Sequence, residues 1–224
     1  MSEALQLPRT MVPAATVRRR VTVPLRFADG YATTAQVLTF DGLVDAQEHL
    51  ALGLGDWQRA LRRATAGGPA PLVRPHSECL TGDVFGSQRC DCGPQLREAA
   101  ERITDTGGLL LYLRQEGRGI GLYAKLDAYA LQEAGMDTYE ANVALGRGED
   151  ERDYAVAAQM LFALGVDRIR LLSNNPDKAD QLDTYGIGVT ERIPTGVHVS
   201  PSNVRYLKTK ASHTSHTLAL PFAE

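Results

Sequence analysis

GGLLLYLRQEGRGIGLYAKLDAYALQEAG, residues 107–135, is the stretch on which the fold turns. Gly107 and Gly108 close a preceding helical run. The apolar segment Leu109–Leu113 is then short and continuous, as a buried strand is. The glycine loop RQEGRGIGL (114–122) leads into a helix over about 121–134, which ends at Gly135. Strand, glycine loop and helix in succession make the repeating unit of an α/β sheet.

The same alternation extends outward in both directions. Upstream, a helix starts near Pro94. Downstream, Asp150 opens a helix that Gly165 caps, RIRLLS (168–173) is a strand, and NNPDKADQL starts a helix with Pro176 in its first turn. The N-terminal third is richer in strands. RRRVTVPLRF and ATTAQVLTF flank an ADG turn, and QEHLALGLGD reads as a third strand ending at glycine. GDWQRALRRATAGGPAP is a short helix closed by Gly67, Gly68 and prolines. The expected fold is α/β: a three-layer α/β/α arrangement with a mixed sheet and a β-rich N-terminal region. Residues 1–15 read as a flexible tail and 16–224 as one catalytic domain, with no internal repeat.

A chain of 224 residues with 43% hydrophobic content can bury a substantial core. The formal charge of −3 leaves no general footprint for nucleic acid. The N-terminus lacks the apolar run of a secretory signal, and no stretch approaches the roughly 20 apolar residues of a spanning helix. The expectation is a cytoplasmic protein with neither nucleic-acid nor membrane partners. Arg18–Arg20 reads as a solvated face.

All three cysteines, Cys79, Cys90 and Cys92, fall within 14 residues. An odd number cannot pair off within the chain, and Cys90 and Cys92 are too close for an unstrained bridge. Their spacing is not that of a finger or ribbon, which would show two C-x-x-C pairs. Three reduced thiols in a core is the alternative. Asp91, Arg89, Gln88 and Ser87 around them are too polar for that. Three sulfur ligands with a fourth position open describe a catalytic zinc site, where a coordinated water has its pKa brought to about 7.

Two loops suggest anion binding, and each has an ordinary structural alternative. RQEGRGIGL places Glu116 and the cations Arg114 and Arg118 among three glycines, but it also suits a plain strand–helix connection. LLSNNPDK sets Lys178 in the first turn of a helix, where Asn174 or Asn175 would cap in any case. Glu78 and Glu116 are carboxylates suited to the N1–H and 2-amino donors of a guanine. Together these features suggest a nucleotide hydrolase. In EDERDYAVAAQMLFALG, Asp150 reads as an N-cap, with Asp153 completing a box-like pair and Arg152 solvated. Tyr129 reads as a buried helical aromatic.

The motifs HSECLTGD, RCDCG, RQEGRGIGL, AYALQ, DTYEAN, ERDY and LLSNNPDK, in this order, resemble the GTP cyclohydrolase II family of riboflavin biosynthesis. The match runs from about Arg74 to Leu218, with a looser likeness through VPLRFADG and EHLALGLGD. The resemblance implies hydrolysis of GTP to 2,5-diamino-6-ribosylamino-4(3H)-pyrimidinone 5′-phosphate, formate and pyrophosphate. It also implies one zinc per chain, magnesium with the triphosphate, and a homodimer. By resemblance Cys79, Cys90 and Cys92 are zinc ligands. Arg74, Pro75, His76, Ser77, Glu78, Gln95, Glu116, Gly117, Arg118, Thr138, Ser173 and Lys178 fall at GTP-contacting positions. Asp150 falls at the proton acceptor, Arg152 at the proposed nucleophile and Tyr129 at a catalytic tyrosine, which replaces the plain capping reading of Asp150 and Arg152. A guanidinium with a pKa above about 12 is a poor nucleophile, so electrostatic clamping by Arg152 stands beside nucleophilic attack. Ser173 replaces the family's usual threonine and keeps the hydroxyl. The chain is too short for the dihydroxybutanone phosphate synthase domain fused in some relatives, so a monofunctional enzyme is expected. Two alternatives remain: a relative that stops at the formylated pyrimidine, and a non-catalytic nucleotide-binding zinc protein.

Overall fold

The structure is a computed structural model. It describes residues 11–136, 138–148, 150–200 and 203, without the side chains of Thr138, Tyr139 and Asn142. Among the described residues seven strands form one mixed sheet: β1 (Thr16–Arg26), β2 (Ala32–Asp41), β3 (Leu50–Leu54), β4 (Leu72–Ser77), β5 (Gly108–Leu113), β6 (Arg168–Leu172) and β7 (Gly188–Ile193). Their order across the sheet is β1-β2-β3-β5-β4-β6-β7. Pairing from β1 through β5 is antiparallel, while β5, β4, β6 and β7 run parallel. The helices are α1 (Trp57–Thr65), α2 (Leu80–Asp83), α3 (Cys92–Thr106), α4 (Leu122–Glu133), α5 (Thr138–Ala144), α6 (Ala155–Ala163) and α7 (Pro176–Thr184).

The side-chain period of two splits the parallel strands between two cores. Val73, Leu109, Leu111, Leu113 and Leu171 pack on one face with Trp57 of α1, Met160 and Leu161 of α6, and Leu182 of α7. Leu72, Leu110 and Leu172 turn to the other face, against Ala99, Ala100 and Ile103 of α3. This is the three-layer α/β/α arrangement expected from the sequence. The Leu109–Leu113 run is buried within β5 apart from the half-buried Tyr112, and α4 spans nearly the residues that the glycine signals bracketed. Asn175 caps α7, its side chain accepting from the Asp177 N–H, with Pro176 behind it.

One helix start differs from the sequence reading. Asp150 does not open α6; the helix begins at Ala155, and Asp153 Oδ1 accepts the Ala155 N–H at 2.7 Å. Residues 150–153 are held outside the helix by tertiary hydrogen bonds. Glu151 N donates to Arg118 O, Gln181 Nε2 to Arg152 O, and Gln115 Nε2 to Asp153 O.

The strand order reverses direction about β4, with β5 on one side and β6 on the other. Ligand crevices in open α/β sheets form at such points, beyond the carboxyl ends of the strands. Here β4 pairs with β6 only through Leu72 and Val73, so the two strands part just before Pro75. The divergence explains how a proline sits inside a strand: no β6 acceptor lies opposite its missing N–H. The opened crevice is where the chemistry-bearing residues gather.

Candidate active site

Strand β4 delivers Arg74, His76 and Ser77 to the crevice, and the chain continues directly through Glu78 to Cys79. Cys79 immediately precedes α2, Cys90 lies in the following loop, and Cys92 opens α3. Cys79 Sγ and Cys90 Sγ are 3.7 Å apart, and all three sulfurs lie within 4.8 Å of one another. Gly82 makes room for them: a Cβ there would stand 2.8 Å from Cys90 Sγ and 3.1 Å from Cys79 Sγ. Hydrogen bonding from the other two thiols, together with the Lys125 ammonium, holds the Cys79 thiol far below its usual range. The Cys90 thiol is pushed up to about 11, first by its bond to Cys79. Three clustered thiols, soft donors with no other cysteine in the chain to pair with, fit a zinc ion and leave a fourth position open.

Asp83 organises the turn beside the cluster. It accepts from Cys79 N at 3.0 Å, Tyr112 Oη at 2.9 Å and His76 Nε2 at 3.1 Å. Burial holds the His76 imidazole below its ordinary pKa despite Asp83, so the ring is neutral near pH 7. With its Nε2–H given to Asp83, Nδ1 is an acceptor, buried and without a partner among the described residues. Arg74 donates to Leu172 O and to Gln95 Oε1, and Gln95 in turn donates to Asp91 Oδ2 at 2.6 Å. Arg74 Nε has no partner among the described residues.

The glycine loop forms a tight turn at the end of β5. Gly117 and Arg118 both take left-handed backbone angles, φ 62° and 63°. Arg118 is thus a non-glycine residue in a costly conformation, of the kind found at ligand-binding turns. Gly119 permits close approach of the 150–153 segment, since a Cβ there would meet the Glu151 carbonyl carbon at 2.9 Å. Glu116 Oε1 accepts from Gly117 N and Lys125 Nζ, and its Oε2 from Leu80 N at 2.6 Å. Glu78 Oε2 accepts from Arg114 Nε at 2.7 Å.

These elements enclose a cleft of about 1100 Å³, its open mouth included. Of the residues singled out from sequence, Arg74, His76, Ser77, Glu78, Cys79, Cys90, Cys92, Gln95, Glu116, Gly117, Arg118, Tyr129, Arg152, Ser173 and Lys178 line it. Pro75 contributes its carbonyl, which accepts from Lys178 Nζ at 2.8 Å. Asp150 stands behind Arg152 as its ion-pair partner. Thr138 begins α5, and its side chain lies outside the described residues. Lys125, Gln115 and Asp91 also line the cleft, while Asp83 orders its edge. The sequence reading missed all four. Lys125 lies four residues before Tyr129 on the same face of α4, but that spacing alone does not mark a lysine as buried.

Fold and site together define an α/β enzyme with a three-cysteine cluster, fit to hold a metal ion, at the crevice of its parallel strands. The family model for GTP cyclohydrolase II matches residues 19–194. The chain belongs to the GTP cyclohydrolase II family. A GTP cyclohydrolase-2 of Vibrio cholerae is 54% identical over 186 residues, 83% of this chain and 90% of that protein. The GTP cyclohydrolase-2 of Psychromonas ingrahamii is 47% identical over 203 residues, covering 91% of this chain and 98% of its own. The riboflavin biosynthesis protein RibBA of Mycobacteroides abscessus is 52% identical over 182 residues, 80% of this chain but 43% of that longer protein.

Proposed function

We propose that this chain hydrolyses GTP to 2,5-diamino-6-ribosylamino-4(3H)-pyrimidinone 5′-phosphate, formate and pyrophosphate, within riboflavin biosynthesis. The observation that carries the reading is that one cleft joins the three-thiolate cluster to Arg118, Arg152 and Lys178. A metal centre suited to hydrolysis at carbon therefore faces cations suited to a triphosphate.

Cys79, Cys90 and Cys92 would hold one zinc ion. When bound, the ion supplies Lewis acidity that makes a water nucleophilic near neutral pH. Glu78 and Glu116 face the guanine's N1–H and 2-amino group. Glu116 already accepts three hydrogen bonds, so Glu78 carries the larger share of that recognition. Arg74, His76, Ser77, Gln95 and Ser173 fix the nucleoside and the nearest phosphate, while Gly117 brings backbone close to it. Arg118, Arg152 and Lys178 balance phosphate charge, and magnesium enters with the triphosphate as its counter-ion. Arg152 acts at the α-phosphorus, where the pyrophosphate leaves, with Asp150 as proton acceptor. The Tyr129 hydroxyl, donor and acceptor at once, orients the second water that cleaves the formamide.

The homodimer and the cytoplasmic location belong to the same proposal. Val84 and Phe85 beside α2, and Tyr123 and Leu126 on α4, are exposed apolar side chains. The two elements are neighbours, since Lys125 Nζ of α4 reaches Thr81 Oγ1 of α2 at 3.0 Å. Apolar surface gathered on adjacent elements suits a subunit contact. Among the described residues no helix is long and apolar enough to cross a membrane. The deciding experiment incubates zinc-loaded protein with GTP and magnesium and measures formate and pyrophosphate. One of each per pyrimidine formed is expected. Pyrophosphate without formate would indicate an enzyme stopping at the formylated pyrimidine, and neither product a binding protein.

A further inference from the structure

Lys125 lies in α4 and is 8% exposed, with its ammonium inside the cleft wall. An ammonium has three hydrogens, and Nζ finds three acceptors: Glu116 Oε1 at 2.7 Å, Thr81 Oγ1 at 3.0 Å and Cys79 Sγ at 3.1 Å. Burying a charge requires a partner, and Glu116 alone meets that requirement. The contact to Cys79 Sγ goes beyond it and falls on one of the three clustered sulfurs.

We infer that Lys125 is a positioning residue for the metal centre: its ammonium donates to the Cys79 sulfur while the ion is held and couples that sulfur to the glycine loop. The inference rests on the zinc reading of the cysteine cluster. Three thiolates and a divalent cation sum to −1; Glu116 balances Lys125 in net charge, so the ammonium acts locally, as a cationic donor aimed at one ligand. A hydrogen bond from a cation draws electron density from the thiolate, so less is donated to the metal, which remains the stronger Lewis acid.

The coupling follows from Glu116. Its Oε1 is shared between Lys125 Nζ and Gly117 N, and its Oε2 takes the N–H of Leu80, the residue after Cys79. Lys125 and Glu116 therefore grip the Cys79 turn from the sulfur and from the backbone. The same carboxylate fixes the loop that presents Arg118. Lys125 Nζ also lies 5.7 Å from the centroid of the Tyr129 ring, one helical turn along.

Cobalt substitution tests the inference by spectroscopy. Metal-free protein is loaded with one cobalt(II), and the thiolate-to-cobalt charge-transfer band is recorded for wild type, Lys125→Met and Lys125→Gln. Removing the cation raises the energy of the Cys79 lone pair, so Lys125→Met should shift the band to longer wavelength at unchanged stoichiometry. Lys125→Gln, which keeps an N–H donor without charge, should shift it less. A Lys125→Met band superimposable on wild type, in protein folded by circular dichroism, overturns the inference. Wild type that shows no thiolate-to-cobalt band fails the zinc reading instead. Should neither variant fold, cadmium-113-loaded wild type labelled with 15N-lysine decides. A lysine ammonium resonance coupled to cadmium supports the contact, and its absence overturns it.

Discussion

Arg152 grips Asp150, two residues before it, along one whole edge of the guanidinium. Nε donates to Oδ1 at 2.8 Å, Nη2 donates to Oδ2, and the Arg152 N–H adds a third bond to Oδ1. Burial works against charge on Asp150, but the paired guanidinium outweighs it and holds the carboxyl below its ordinary range. A carboxylate so held is a weak base, and it becomes a better one only when Arg152 turns to substrate. Arg152→Ala should therefore slow pyrophosphate release by about 10²–10³-fold, the usual loss for one charge-stabilising donor. Arg152→Lys should recover part of the rate as a point charge, without the bidentate geometry. Pyrophosphate release measured by a coupled assay checks both. Unchanged release in Arg152→Ala would remove Arg152 from the reaction as clamp and as nucleophile alike.

The cysteine cluster makes a prediction at a residue that carries no ligand. Gly82→Ala would place a methyl 2.8 Å from Cys90 Sγ, and the sulfurs would have to spread. Zinc content by elemental analysis should fall from about one per chain to well below it, with the fold retained. Cys90→Ser should lose both zinc and formate production. Full occupancy with all three cysteines replaced would end the assignment.

The parts of this fold that were legible are those where one physical cause dominates. Leu109–Leu113 is buried on both faces, so its apolar run announces a strand without help from context. Strand β4 gave no such signal, because Arg74, Pro75 and His76 occupy it and their burial depends on partners from β6, α2, α3 and α7. Asp150 looked like a cap because caps are defined by local chemistry, whereas its segment is held by Gln115, Arg118 and Gln181 from elsewhere in the chain. In the site, the cysteines were legible from spacing alone. Lys125 was not, since one lysine on a helix ordinarily faces water and only the tertiary placement of Glu116 and Cys79 buries it.

Glu98 of α3 links acid stability to the chain beyond β7. Its carboxylate accepts from Gly196 N at 2.9 Å, Arg102 Nη1 at 2.8 Å and His198 Nε2 at 2.9 Å. Partial burial raises its pKa, but these donors prevail and leave it below the ordinary 4.5. A depressed carboxyl means that the unfolded chain takes up the proton first. Its stabilisation is therefore present above about 4.5 and is lost as pH falls through the lower folded value. Glu98→Gln should melt at a lower temperature than wild type near pH 7, and the gap should close in acid. A gap constant with pH would show that the carboxylate's charge contributes nothing.

In the proposed reaction, Tyr129 is the residue that separates complete hydrolysis from one that stops at the formylated pyrimidine. Its ring centroid lies 4.7 Å from the Arg89 guanidinium and 5.7 Å from Lys125 Nζ, so two cation–π contacts hold it. Phenylalanine retains that face and its packing. Burial pushes the Tyr129 hydroxyl above its ordinary pKa, so it stays protonated near pH 7 and available as a donor. The proposed reaction assigns opening of the imidazole ring to the cysteine cluster and not to this hydroxyl. Formamide cleavage needs a second water brought to a carbon no longer held in a ring, and one group that both donates and accepts can orient it. Loss of a positioned acid–base group costs about 10²–10⁴-fold. Tyr129→Phe should therefore keep its zinc and consume GTP, accumulate the formylated pyrimidine by mass spectrometry, and release little formate. Wild-type formate yield at matched zinc content would make Tyr129 a packing residue and place the second hydrolysis on other groups.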